Sequence, residues 1–161
     1  DLDSILDGEG YILEGLTSIQ MVSLNEVDEW IPVSNVIIHH HFDDNWFINF
    51  CTLNHVNATD KMTLKKMLQS IVPEVCYVSI ITDRNEPIAC GMGVLEDGYI
   101  GMFDIVTNIE YRKQGYAKQL ISTILNWGKN NGAKHAYLQV VLTNNPAINL
   151  YSKLGFKEVY K

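Results

Sequence analysis

The sequence predicts an α/β (α+β) fold: a single mixed, mostly antiparallel sheet flanked by helices. Three observations carry that expectation. The middle of the chain reads as a meander of strand-like runs, Val75–Thr82, Ile88–Leu95 and Tyr99–Thr107. The Asp97-Gly98 pair between the last two is a strong hairpin signal. The last third alternates strand, helix, strand, short helix and strand, and a strand–helix–strand crossover implies parallel pairing.

The elements follow in order. Residues 1–8 look like the end of a short helix, closed by Gly8 or Gly10. Tyr11–Val22 reads as a strand, and Ser34–Phe42 as another apolar, β-branched run. Asp43 or Asp44 can cap a helix that carries Trp46, Phe47, Phe50 and Cys51 on one face. A second helix follows Asn57, with Leu64, Met67, Leu68 and Ile71 as its apolar stripe, and Pro73 ends it. After the meander, a helix runs from Gly115 to about Asn130. Its apolar face is Ala117, Leu120, Ile121, Ile124 and Leu125, and Lys129–Gly132 closes it. Ala136–Leu142 is a strand, Ala147–Leu154 a short helix ended by Gly155, and Phe156–Tyr160 a last strand.

Composition narrows the function. The 161 residues suffice for one domain with a core, and 47% hydrophobic with 19% charged residues is ordinary for a soluble globular protein. A net charge of −7 argues against nucleic acid as the main partner. No apolar run reaches the ~20 residues that cross a bilayer, so no membrane partner is expected. Cys51, Cys76 and Cys90 are odd in number and lack metal-ligand spacing, which reads as reduced, buried thiols in a cytoplasmic protein.

Against that acidic background, the basic stretch Glu110-Tyr-Arg-Lys-Gln-Gly-Tyr-Ala-Lys118 stands out. It lies between a strand and an amphipathic helix. A helix N-terminus offers free N–H groups and partial positive charge, Gly115 allows close approach to the backbone, and Arg112 and Lys113 add formal charge. This is a place to hold phosphate.

Two segments together identify a family. Arg112-Lys-Gln-Gly-Tyr-Ala117 resembles the pyrophosphate loop R/Q-x-x-G-x-G/A of the GNAT superfamily of acetyl-CoA-dependent N-acetyltransferases. The run from Asn144 through Ala147, Leu150 and Tyr151 to Gly155-Phe156 is similar to that family's N-x-x-A-x-x-L-Y-x-x-x-G-F signature. The resemblance covers about residues 35–161 and implies a GNAT-like acyl-CoA N-acyltransferase fold. It implies acetyl-CoA as co-substrate and a small-molecule or peptide amine as acceptor, and it leaves a homodimer open; the cysteine spacing gives no reason to expect a metal.

It also implies roles. The backbone at Ile105, Val106 and Thr107 would pair with the pantetheine arm, and the amides of Lys113, Gln114, Gly115, Tyr116 and Ala117 would hold the pyrophosphate beside Arg112. Asn144 would help fix the cofactor, and Tyr151 would protonate the departing thiolate. The chemistry requires such parts. An amine attacking a thioester forms an oxyanion, which the strand N–H near Val106 is expected to meet, and then expels a thiolate. An alkyl ammonium of pKa about 10.4 must also lose a proton. Asp104 is the candidate base, directly or through water. Many relatives have a glutamate on this strand, and none occurs here between Gly98 and Asn108.

Blander readings stand beside these. Tyr151 is also a good packing aromatic, Asp104 a salt-bridging or capping carboxylate, and Asn144 a helix N-cap. Trp46, Phe47 and Phe50 read as helix core. His39-His40-His41 invites a zinc site, but only His39 and His41 share a strand face. The rival functions are a non-catalytic acyl-CoA-binding module and a nucleotide-binding protein, the second lacking the P-loop lysine. Acidity favours cationic acceptors such as polyamines, aminoglycosides or lysine side chains.

The start of the chain resembles its end. Ile5-Leu-Asp-Gly-Glu-Gly-Tyr11 aligns with Leu150-Tyr-Ser-Lys-Leu-Gly-Phe156 at a constant offset of 145 residues. Residues 1–24 are thus expected to be a helix–strand remnant of a preceding GNAT-like half, and 25–161 the acetyltransferase domain.

Overall fold

The computed structural model describes residues 2–12, 14–27 and 35–161. Asp1, Leu13 and Ser34, which the sequence reading put in a helix and two strands, lie outside the described residues. In chain order the elements are α1 (Leu2–Gly8), β1 (Thr17–Ser23), β2 (Val36–His39), α2 (Asp44–Leu53), α3 (Ala58–Gln69), β3 (Glu74–Ile81), β4 (Pro87–Glu96), β5 (Tyr99–Thr107), α4 (Tyr116–Asn130), β6 (His135–Val141), α5 (Asn145–Lys153) and β7 (Lys157–Tyr160).

The strands form one seven-stranded sheet in the order β2-β3-β4-β5-β6-β1-β7. All neighbours are antiparallel except β5 and β6, the strands joined by the α4 crossover. This is the mixed, mostly antiparallel α/β fold that the sequence predicts. Two layers of helix cover it. On one face α4 and α5 bury Leu120, Ile121, Ile124, Leu125 and Tyr151 against Val22, Val78, Ile100, Met102 and Leu138. On the other, α2 and α3 bury Trp46, Phe47, Phe50 and Leu68 against Tyr77, Cys90 and Met92.

Local signals explain most boundaries. The Asp43 carboxylate accepts the Trp46 N–H at 2.8 Å and starts α2. Trp46 stacks on Phe50, and its indole N–H donates to the carbonyls of Val78 and Gly91 at 3.1 and 3.2 Å. That polar anchor locks α2 onto β3 and β4. Asp97 and Gly98 both adopt left-handed conformations in the β4–β5 turn.

Three expectations are corrected. The strand predicted over Tyr11–Val22 begins only at Thr17, because left-handed Gly10 and Gly15 turn the chain and leave Tyr11 and Ile12 exposed. The run to Phe42 pairs only over Val36–His39, because the chain leaves β3 after His39. On α3 the stripe narrows. Met67 is exposed and Ile71 lies past the helix end, so Leu68 is its one buried residue.

Helix α4 sits unusually close to β5. A Cβ on Gly128 would lie 2.9 Å from both Cβ and Cγ2 of Ile100. Cβ cannot rotate away, so the helix itself would have to lift. Gly128→Ala should therefore lower stability by about 1–3 kcal/mol in chemical denaturation, although alanine is the better helix former by about 1 kcal/mol.

Candidate active site

The site grows from the parting of two strands. β5 and β6 pair at Tyr99↔His135, Ile100↔Ala136 and Gly101↔Tyr137. Beyond Gly101 no pairing follows, and the strands diverge. The other edge of β5 stays on β4 up to Thr107, with a register shift between Cys90 and Met92. Opposite that shift Asp104 takes a left-handed conformation, φ +56°, so β5 bulges at Asp104–Ile105. The Asn108 N–H donates to the Ile88 carbonyl at 2.8 Å. By strand alternation the Val106 N–H also turns toward β4, whereas those of Ile105 and Thr107 turn toward the notch. Near Val106, the N–H groups open to the notch are therefore those of Ile105 and Thr107.

A cavity of about 610 Å³ opens at this notch on the α4/α5 face. Ile105, Val106, Thr107, Arg112, Lys113, Gly115, Tyr116, Ala117, Asn144 and Tyr151 all line it. Gln114 does not; its side chain turns back and donates to the Glu110 carbonyl at 3.2 Å. Between β5 and α4 a single 3-10 turn, Ile109–Tyr111, reverses the chain. Arg112 is fixed there by an Nε bond to the Thr107 carbonyl at 3.2 Å.

Gly115 is the N-cap of α4 at φ +89°, a conformation that side chains with a Cβ adopt at a cost. No side chain caps this end and no acidic residue stands in the first turn. First-turn N–H groups lack intrahelical acceptors, so the end retains its donors and its positive potential. These features fit a diphosphate.

Sequence reasoning gave no role to Tyr111, Lys118, Pro146, Ala147 or Leu150, which also line the cavity. Pro146, Ala147 and Leu150 lie within the second motif and Tyr111 and Lys118 in the basic stretch Glu110–Lys118, which was the available signal. Tyr111 and Tyr116 meet edge to face at 6.1 Å on its wall.

Tyr151 comes from α5. It is buried, packs edge-on against Phe156 at 5.9 Å, and burial pushes its phenol above 10. It therefore holds its proton at neutral pH. Asn144 caps α5, its side chain accepting the Ala147 N–H at 3.3 Å.

Asp104 belongs to the opposite face. Burial raises the Tyr77 phenol, the Asp104 charge raises it further, and Tyr77 packs on Trp46 under α2. Desolvation by its surroundings pushes the Asp104 carboxyl above its ordinary value, although much of the side chain remains accessible. Among the described residues no salt bridge engages it. The notch therefore has a protonated phenol on one side of the sheet and a partly desolvated carboxylate on the other.

The remaining residues find structural partners. His39 faces Asp43 at 3.6 Å, and His40 Nδ1 accepts the Trp127 indole N–H at 3.1 Å. The three cysteines are free and buried, with the thiols of Cys76 and Cys90 pushed up to about 12 and about 11 by desolvation. Such thiols are poor nucleophiles at neutral pH.

With this geometry, the chain is matched over residues 38–156 by the acetyltransferase (GNAT) family, and it belongs to that family. It is 39% identical over 114 residues to the uncharacterized N-acetyltransferase YobR of Bacillus subtilis (strain 168), covering 71% of this chain and 46% of that protein. It is 35% identical over 97 residues to N-alpha-acetyltransferase 30 of Schizosaccharomyces pombe, covering 55% of this chain and 63% of that one. It thus spans about half the length of YobR.

Among solved structures, a tandem GNAT protein from the clavulanic acid biosynthesis pathway shares the fold at TM-score 0.74 and 11% identity, covering 98% of this chain and 55% of that one. AAC(6')-Iy in complex with a CoA-based bisubstrate analog matches at TM-score 0.64 and 16% identity, covering 80% and 95% of the two chains.

The Asp104 environment has a measurable consequence. The folded chain holds the Asp104 proton more tightly than the unfolded one, so ionisation costs stability above the raised pKa and not below the ordinary 3.8. Asparagine tolerates the same left-handed backbone. Asp104→Asn should therefore melt at a higher temperature than the parent at neutral pH, and the gain should shrink in acid, as read by thermal scans across pH.

Proposed function

We propose that the protein is an N-acetyltransferase that moves an acetyl group from acetyl-CoA to a primary amine by direct attack in a ternary complex. The observation that carries this reading is the junction of a strand notch with an uncapped, acid-free helix N-terminus in one cavity. The diphosphate would rest on the amides from Lys113 to Ala117, with Arg112 and Lys113 adding charge. The pantetheine arm would run along the open edge of Ile105–Thr107 as an added strand. The amine would approach from the Asp104 side and lose its proton to that carboxylate, directly or through water. The N–H of Ile105 or Thr107 would meet the oxyanion, and Tyr151 would protonate the leaving thiolate. The buried, high-pKa cysteines support transfer without an acetyl-cysteine intermediate.

The acidic limb of the rate should follow Asp104. Because its pKa is raised, activity should fall as pH drops through a value above the ordinary 3.8.

The domain reading also stands as a proposal: residues 1–24 are the end of a preceding GNAT-like half. Helix α1 occupies the positions of α5 at the offset of 145 residues, and left-handed Gly10 matches left-handed Gly155. β1 inserts between β6 and β7, so that half would lend its last strand to this sheet.

The test is CoA thiol release over a panel of amines. Tyr151→Phe should lower turnover about 10-fold or more with little change in the KM for acetyl-CoA. An unchanged rate would remove Tyr151 from the acid role. Acetyl-CoA binding without release to any amine would favour the non-catalytic acyl-CoA-binding module instead.

A further inference from the structure

Among the described residues, no helix covers one region of the sheet. α2 and α3 cover β3 and β4 on their face, but β5, β6 and β1 alternate there between buried inner residues and accessible outer ones. Register fixes which residues point outward. Phe103 pairs with Met92 under α2, Gly101 pairs with Tyr137, and Tyr137 pairs with Met21. Around Tyr137 this face is aromatic and aliphatic, whereas Thr17 and Gln139 further along it are polar. Tyr99 and Phe103 are each 41% exposed, Tyr137 and Met21 are half-buried, and Tyr99 stacks on His135 at 5.3 Å.

This patch is continuous with the notch. Phe103 and Tyr137 meet edge to face at 6.1 Å at the last β5–β6 pair, where the strands begin to part. A Cβ on Gly101 would come within 2.6 Å of the Tyr137 hydroxyl and 2.7 Å of the Phe103 ring, so the two rings close over that glycine. Asp104 follows Phe103 immediately on β5 and is exposed, and its charge adds to the burial that raises Tyr77 on this same face. Among the described residues of β5, β6 and β1, it is the one carboxylate.

Resting on the acetyltransferase reading above, we propose that the acceptor is a monoamine with an apolar or aromatic group beside the nitrogen, held by the Phe103–Tyr137 wall with its ammonium at Asp104. One carboxylate matches one cation. An ammonium elsewhere on the acceptor would lie on apolar rings without an ionic partner. The attraction of an exposed ring for a cation is small beside the loss of its water. Polyamines and aminoglycosides, which the acidic composition favours, are poor matches to this face. An arylalkylamine and a peptide amino terminus beginning with an apolar residue present the same chemistry.

The test compares 2-phenylethylamine, a peptide beginning with phenylalanine, spermidine and kanamycin in the thiol-release assay. It also measures calorimetric binding of each to the CoA-loaded protein. At least one of the first two should exceed spermidine and kanamycin by about 10-fold or more in kcat/KM, and the better of them names the source. Phe103→Ala should reduce that preference about 10-fold with the KM for acetyl-CoA unchanged; Phe103 is accessible enough for its loss to leave the fold intact. Preference for spermidine or kanamycin would overturn the proposal. So would an unchanged preference in Phe103→Ala accompanied by altered sedimentation, which would make the face an interface. If no amine releases thiol but the apolar amines bind in a Phe103-dependent way, the recognition stands and the transferase reading fails. If they do not bind either, both fall.

Discussion

The site depends on one unpaired strand edge. β5 is held by β4 along one side and leaves β6 after Gly101 on the other. Open N–H and C=O groups in a sheet interior are costly unless something satisfies them, and here the open stretch, Ile105–Thr107, forms the wall of a cavity. The bulge at Asp104 makes this geometry, because it bends β5 while keeping its far edge on β4. The anchor beneath is the Trp46 indole bonded to Val78 and Gly91, opposite the register shift.

The sheet also divides the chemistry. On one face α4 brings a set of amide donors that no side chain caps and α5 brings a buried phenol; on the other the carboxylate of Asp104 follows the Phe103 ring. In the proposed reaction a substrate at the notch would meet proton donor and acceptor from opposite sides, so the two groups would not neutralise each other. The basic residues serve the same division. In a chain of net charge −7, Arg112, Lys113 and Lys118 line one cavity. Long-range attraction for an anionic cofactor is then focused at the helix end.

The parts legible in the sequence were those set by local chemistry. Gly115 in a basic stretch between strand and helix marked the start of α4 because helix starts and left-handed turns are written in a few adjacent residues. Asp43 and Asn144 marked their caps for the same reason. The features missed were non-local. The bulge at Asp104 needs the register of β4, and the insertion of β1 between β6 and β7 joins segments over a hundred positions apart. Phe103 read as one more apolar strand residue; among the described residues no helix covers it, whereas its neighbour Met102 is buried under α4. Gln114 sat inside the motif, yet its side chain turns away from the cavity.

The central claim is that acetyl-CoA occupies the open edge of β5 and the N-terminus of α4 together. Amide hydrogen exchange with and without acetyl-CoA tests it most directly. Joint protection of Ile105–Thr107 and Lys113–Ala117, with β2 and β3 unchanged, is the result expected. Protection of neither segment, or of the α4 end without the strand, would contradict it.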